Sequence, residues 1–593
     1  MAKKILFVIF SVLLFAIMLA VLELNKNTVL GMILFIIASA GFWAIHALVL
    51  AKANGGFKFL GWFCWIAVFV AILFITWPPV KAVPAVNAKN PAHTGIITIK
   101  QGELRGVYTE DGKVEVYTGI PYAKAPVGEL RWKEPQDHDG WEGVLEADHF
   151  APMSMQPTNL PIYNSLAQII GYHDYKISLD ERYIPPVSED SLYLNVWKPA
   201  GDVSGLPVLV YVHGGSLQTG QPWYGDYRGE MLARENAVVV NIGYRLGVFG
   251  FYADEELSAE SSNGTTGNYG LLDQIKALEW VRDNIVSFGG DPNNVTLAGE
   301  SAGAASVSAL CTSPLAKGLF KRVLLESSTV ASVEPPHSFR LFDEAIKSGK
   351  DLKARYGCEN VSELRMIPAE KLVGEADTQH HITVDGYVLK ETPYQSYKKG
   401  LHNEEQIMHG YNLEESAAFI MFSRASMKTY ESNVRGYFKD CADDILALYP
   451  AKTDKEADEY WAEIFGATFF DYPHYCLNRL AVENGIDVYE YTFTKHNGRL
   501  GPWHSGEEVY IYGNIPDDSP LFDERDRELS RQMNKYLLNF MNCGDPNSDA
   551  LPTWEKNISS YDLMEFGDKT EMTKERKPEL YKILDKFTGW GEN

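Results

Sequence analysis

Phe288-Gly-Gly-Asp-Pro-Asn-Asn-Val-Thr-Leu-Ala-Gly-Glu-Ser-Ala-Gly303 contains the pattern most able to do chemistry in this 593-residue chain. The apolar run Val295–Ala298 reads as a buried strand, and Ala302–Leu310 is rich in small helix-compatible residues. Ser301 would then occupy a one-residue corner between them. Glycines at 299 and 303 fit that corner, because strand and helix backbones crowd together there. A hydroxyl lifted above a sheet by such a strained corner is placed to attack a carbonyl carbon.

A serine hydroxyl is a weak nucleophile and needs a histidine base oriented by a carboxylate. The strand–corner–helix pattern is that of an α/β-hydrolase, where the chain order is Ser, then Asp/Glu, then His. His504 lies in the glycine-flanked stretch Gly501-Pro-Trp-His-Ser-Gly-Glu507, and Glu415 follows the strand-like Gln406–Met408. Both have the required order. Order alone leaves the choice open, since the chain has fourteen histidines and Glu414 stands beside Glu415. Tyr211-Val-His-Gly-Gly-Ser-Leu217 follows another apolar strand, where His-Gly-Gly motifs turn backbone N–H groups toward a developing oxyanion.

Elements of two kinds must hold these residues. The stretches Gly95–Lys100, Gly106–Tyr108 and Val114–Tyr117 alternate as antiparallel hairpins do. Later, near-continuous apolar strands (Pro207–Val212, Ala237–Ile242, Val323–Glu326) alternate with helical periods such as Leu271–Val286. That alternation predicts an α/β fold with a mostly parallel sheet covered on both faces. Helical periods over Ser338–Lys399 are expected to cap the site.

Ahead of this body, Ile5–Leu22, Val29–Ala51 and Phe59–Trp77 are apolar runs near the ~20 residues that span a bilayer. They predict three transmembrane helices over 1–80, then a linker at 81–94 and one catalytic domain over 95–593. The alternative for the first run is a cleaved signal peptide, but no small-x-small cleavage site follows it. The flanking lysines favour a cytoplasmic N-terminus, so three spans would place the body outside the cytoplasm. The apolar runs contain no Asp, Arg or Lys, and His46 alone is weak support for transport, so anchoring in the lipid bilayer is the simpler role.

Residues 1–80 carry five Lys and one Glu, net +4, and since the whole chain is −24 the remainder carries −28. So acidic a body would repel nucleic-acid phosphates. Five cysteines outside the third run, with no C-x-x-C pair, do not indicate a metal site or a disulfide framework. The adjacent His380 and His381 cannot share one helix face around a metal and are expected to be exposed loop residues.

Longer motifs bring a family into view. Tyr117–Ala123 with Pro126–Trp132, Glu189-Asp-Ser-Leu-Tyr-Leu-Asn-Val-Trp197 and Phe288–Gly303 resemble the three signatures of the type B carboxylesterase/cholinesterase family, over essentially all of 95–593. The resemblance implies an α/β-hydrolase fold and hydrolysis of a small carboxylic ester through an acyl-enzyme, with no cofactor and no metal. Gly410–Ala417 matches the family's acid motif and selects Glu415; His504–Gly513 matches its histidine motif. By the same likeness the oxyanion donors are the amides of Gly215, Ser216 and Ala302. Three departures stand out: Ser216 for a third glycine, Ser191 for a frequent disulfide cysteine, and Ser416 for glycine after the acid. Glu300 could stabilise protonated His504, attract a cationic substrate group or be merely structural. Some members of the family are non-catalytic adhesion or receptor ectodomains, typically without the serine, and this is the competing expectation.

Overall fold

The computed structural model describes residues 2–591 except 26, 78–91, 158–185, 374–379, 421–422, 497–500, 517–518, 520 and 559–561. The chain divides into two compact units, Met1–Pro84 with Thr158–Pro186, and Ala85–Pro157 with Val187–Asn593. Most of the expected linker, 81–91, lies outside the described residues.

In the first unit the apolar runs form three helices, α1 (Ala2–Leu24), α2 (Val29–Leu48) and α3 (Gly55–Ile75). Only α2 and α3 have the length and hydropathy to cross a membrane; the described apolar stretch of α1, Val8–Leu24, is shorter. The expected three spans are therefore corrected to two candidates. A pair of spans returns the chain to the side it left, so the argument for an extracytoplasmic body, which needed an odd number, falls with the third. Inside the unit Phe42 stacks on Trp65 at 4.9 Å, and the Trp65 indole donates to Ser39 Oγ at 3.1 Å. Asn27 Nδ2 donates to Thr76 Oγ1 (3.0 Å) and to the Leu73 carbonyl (2.8 Å). These bonds satisfy buried polar groups of the unit from within it.

The second unit is built on a central sheet that has eleven strands among the described residues. In chain order these are β1 (Val107–Tyr108), β2 (Val114–Pro121), β3 (Tyr193–Pro199), β4 (Leu206–Val212), β5 (Val238–Ile242), β6 (Gly290–Glu300), β7 (Arg322–Glu326), β8 (Gln406–Asn412), β9 (Asp487–Phe493), β10 (Asp562–Phe566) and β11 (Thr570–Lys574). Their spatial order is β11-β10-β9-β8-β7-β6-β4-β5-β3-β2-β1, parallel from β10 through β5 and antiparallel at both edges. The apolar strands are the central ones, which fits burial on both faces. Helix α4 (Tyr269–Asn284) buries Leu272, Ile275, Leu278 and Val281, the face that its sequence period defines. The hairpin reading holds too: Ile97–Ile99 pairs antiparallel with Gly102–Arg105, and β1 with β2.

Register decides where chemistry can occur. Val212 on β4 pairs with Gly299 on β6, Glu300 with Glu326 on β7, and Glu326 with Gly410 on β8. The carboxyl ends of four neighbouring strands thus share one edge, where parallel α/β sheets place their sites. All six cysteines are free. Opposite Ser191, in the place where a disulfide cysteine was expected to be missing, Ser154 Oγ donates to Ser191 Oγ at 2.9 Å.

Candidate active site

Ser301 sits between β6 and helix α5 (Ala302–Leu310) with φ 54° and ψ −125°, a conformation that a side chain rarely adopts. Its amide donates to the Glu326 carbonyl at 2.8 Å, fixing the corner to β7. The crowding inferred from the glycines is physical. A Cβ at Gly303 would lie 2.0 Å from the Val212 carbonyl oxygen, and one at Gly299 would lie 2.6 Å from the Gly303 carbonyl carbon. Any side chain at either position would push α5 off the sheet.

His504 is carried by the loop after β9. Its Nε2 lies 2.8 Å from Ser301 Oγ and its Nδ1 2.5 Å from Glu415 Oε2. Glu415 opens a short helical turn immediately after β8, and its other oxygen accepts the Asn412 amide at 2.7 Å. Glu414, which order alone could not exclude, turns the other way: its carboxylate is half-exposed and faces His496 at 3.5 Å. Glu414 precedes the helical turn and Glu415 is its first residue, so the two side chains leave the backbone in different directions.

Burial sets the charges of this line. It pushes the His504 imidazole down from 6.5 to about 4, so the ring is neutral at rest and Nε2 can accept the Ser301 proton. Burial also raises the Glu415 carboxyl, while the Asn412 amide draws it back toward the charged form.

The His-Gly-Gly loop borders the serine: a Cβ at Gly214 would lie 3.0 Å from Ser301 Cβ. Gly215 (φ 105°), Ser216 (56°) and Leu217 (57°) are all left-handed, which turns successive amides to one side of the loop. Among the described residues, no protein acceptor takes the amides of Gly215, Ser216 or Ala302. They are free for an incoming oxygen. His213 is no partner for substrate; it is buried, stacked on Tyr244 at 4.6 Å and hydrogen-bonded to the Gly214 carbonyl.

Glu300 is buried with Oε1 3.2 Å from His504 Nε2 and accepts from Ser505 Oγ at 2.6 Å. It belongs to a nest of buried acids: Glu326 accepts from Tyr512 (2.5 Å), Glu507 from Ser327 (3.1 Å) and Glu508 from Tyr211.

Two expectations change here. The stretch 338–399 holds helices such as Phe342–Tyr356 beside the strand pair Phe339–Arg340 and Ile382–Thr383, but the side chains packed on His504 come from elsewhere. They are Phe419 (ring centroids 5.0 Å) and Phe470 (4.9 Å). Phe470 reaches His504 from a π-helical turn, Ala467–Asp471, between two α-helices. Nothing in the sequence pattern marks that extra residue per turn. His380 and His381 are half-buried instead of exposed, with their rings tilted against each other at 4.2 Å.

With this geometry in view, the relatives are informative. Residues 93–583 match the carboxylesterase family. The chain is 31% identical over 494 residues to a fumonisin B1 esterase of Sphingopyxis macrogoltabida, covering 79% of this chain and 85% of the relative. It is 31% identical over 545 residues to a medium-chain fatty acyl-CoA hydrolase precursor of Anas platyrhynchos, covering 82% and 92%. The solved structure of a PNB esterase superposes with TM-score 0.69 at 27% identity, covering 82% of this chain and 99% of that one. The fold is α/β-hydrolase-like, the relatives named are hydrolases and not adhesion proteins, and the chain belongs to the carboxylesterase family, as an ester-hydrolysing enzyme.

Proposed function

We propose that the reaction is carboxylic ester hydrolysis through an acyl-enzyme on Ser301, with His504 as base and acid and Glu415 as the group that orients it. The supporting observation is the unbroken line Glu415–His504–Ser301, with contacts of 2.5 and 2.8 Å. His504 Nε2 takes the Ser301 proton as Oγ bonds to the ester carbonyl carbon. The carbonyl pair of electrons moves onto oxygen, and the amides of Gly215, Ser216 and Ala302 receive that oxyanion. As the tetrahedral centre collapses, the bond to the alkoxy oxygen breaks and His504 returns its proton to the departing alcohol. Water then repeats the sequence on the acyl-enzyme, releasing the acid and restoring Ser301. Glu415 keeps the Nδ1 proton in place, so that Nε2 bears the lone pair, and balances the imidazolium charge.

We also propose that α2 and α3 anchor the enzyme in a lipid bilayer. Their outward side chains support this, since Ile37 is 63% and Phe59 73% exposed without a protein partner surface.

The deciding experiment is hydrolysis of p-nitrophenyl acetate and butyrate by the full chain in detergent, beside Ser301→Ala. The expected loss is at least about 10⁴-fold in kcat with unchanged thermal unfolding. Equal turnover by both proteins would overturn the reading.

A further inference from the structure

Ser505 directly follows His504 and has φ 69°, the left-handed region that glycine fills without strain and serine does not. Its hydroxyl gives this strained position a use. It donates a 2.6 Å bond to Glu300 Oε1, and that same oxygen lies 3.2 Å from His504 Nε2. Nε2 is also the atom 2.8 Å from Ser301 Oγ. The residue before the nucleophile and the residue after the base are therefore tied to each other across the reacting atoms. The other side of the carboxylate is closed: a Cβ at Gly214 would lie 2.6 Å from Glu300 Oε2. Hemmed in by the oxyanion loop, Glu300 has one place to sit, and Ser505 fastens it there.

We propose that Ser505 is a positioning residue for ester hydrolysis, whose hydroxyl holds the Glu300 carboxylate against Nε2 of His504 to support the imidazolium formed when Ser301 loses its proton. This rests on the Ser301–His504–Glu415 reading above. Neutral His504 gains little from a neighbouring carboxylate, whereas charged His504 gains much. The contact is therefore strongest in the transition state and acts on kcat more than on KM.

The groups facing Glu300 make the hydroxyl necessary. Besides His504 they are Glu507, Glu508, Glu415 and Glu326, with the phenols of Tyr244 and Tyr491. Burial first, and then the carboxylates of Glu507, Glu415 and Glu326, push the Glu300 carboxyl upward; the Ser505 bond acts in the opposite sense, favouring the charged form. Burial still holds the Glu300 carboxyl well above its ordinary value with that bond in place, and losing the bond moves it further toward the neutral form, which gives an imidazolium no charge to lean on.

The test uses the full chain in detergent and four variants: Ser505→Gly, which removes the hydroxyl and the strain; Ser505→Ala, which removes only the hydroxyl; Glu300→Gln; and Glu300→Gln with Ser505→Gly. Ser505→Gly should lower kcat about tenfold with KM unchanged. Ser505→Ala should do the same, although its backbone strain remains. The acid limb of kcat should move to lower pH in both, because His504 loses a neighbouring negative charge. In the Glu300→Gln background, Ser505→Gly should cost less than about twofold more, since the group it acts through is gone. A kcat for Ser505→Gly within about twofold of wild type, or a tenfold loss in both backgrounds, would overturn the proposal. If Ser301→Ala is inactive in the same assay, that failure belongs to Ser505 alone. An active Ser301→Ala would overturn the site reading and this proposal with it.

Discussion

The two units bury opposite things. In the esterase body the interior is largely apolar, and one cluster of its buried polar groups sits at the carboxyl edge of the sheet around Ser301, His504 and Glu300. In the helical unit large apolar side chains face outward, Ile37 and Phe59 among them, while Asn27, Ser39 and Thr76 are buried and bonded to one another's helices. On the anchor reading above, one chain carries two solvents' rules, water for the body and hydrocarbon for α2 and α3. The buried polar groups also differ in kind: those of the body include many that titrate, whereas Asn27, Ser39 and Thr76 do not.

That difference can be broken first by chemistry. Glu415→Gln keeps the shape of the site but not its charge, and kcat should fall by about 10⁴-fold while unfolding stays as in wild type. Asn27→Leu, an equally buried polar loss in the helical unit, should leave kcat where it was. Comparable losses in both variants would mean that the buried polar groups of the two units serve one purpose. A second break concerns solvent. Ile37→Asp puts a charge near the middle of α2, at a cost of about 3 kcal/mol for a membrane helix. It should shift the protein from the carbonate-resistant membrane fraction toward the soluble one. Met366→Asp, on a large apolar residue of the body that is 79% exposed, should not. Retention of Ile37→Asp at wild-type levels would remove the anchor reading.

The smallest effect tests the titrating groups away from the active site. His409 on β8 and His474 stack at 5.2 Å, with their Nδ1 atoms 3.0 Å apart in the body's core. Burial holds His409 down to about 3 and His474 well below its ordinary 6.5, so both are neutral when folded. Once unfolded, each takes a proton near 6.5. Their contribution to stability is therefore intact above pH 6.5 and declines as the pH falls below it, by about 2 kcal/mol per ring at pH 5. Replacing His474 with Gln removes one such ring. The Tm gap between wild type and His474→Gln should narrow as pH is lowered from 7 to 5, and a gap independent of pH would reject this account.

How much of this was legible depends on the range of each cause. The corner at Ser301 was readable because its glycine spacing is a pattern of five adjacent residues, although part of the crowding behind it comes from Val212 on β4. Helix α4 was readable from its own period. The line to His504 and Glu415 is long-range: those residues join Ser301 only through strand order, and residue order left Glu414 and other histidines after Ser301 open. Family likeness, not periodicity, chose among them. Three features had no sequence signal. Phe470 depends on a π-helical turn that interrupts an otherwise ordinary helix. Ser505 depends on a φ value that serine does not advertise. The first apolar run, Ile5–Leu22, was counted as a span from apolar length alone, a measure that does not separate a helix packed on its neighbours from one that crosses a bilayer.

The serine pair at 154 and 191 closes with a hydroxyl bond a joint that could have been sulfur, and no other cysteine in the chain is cross-linked. Such a body has no disulfide to lose. Thiol reductants break no link in it and leave the joint between β3 and the Met153–Ser154 strand as it is, so its connectivity does not wait on an oxidising compartment. An esterase joined this way can keep the same shape on either face of a membrane.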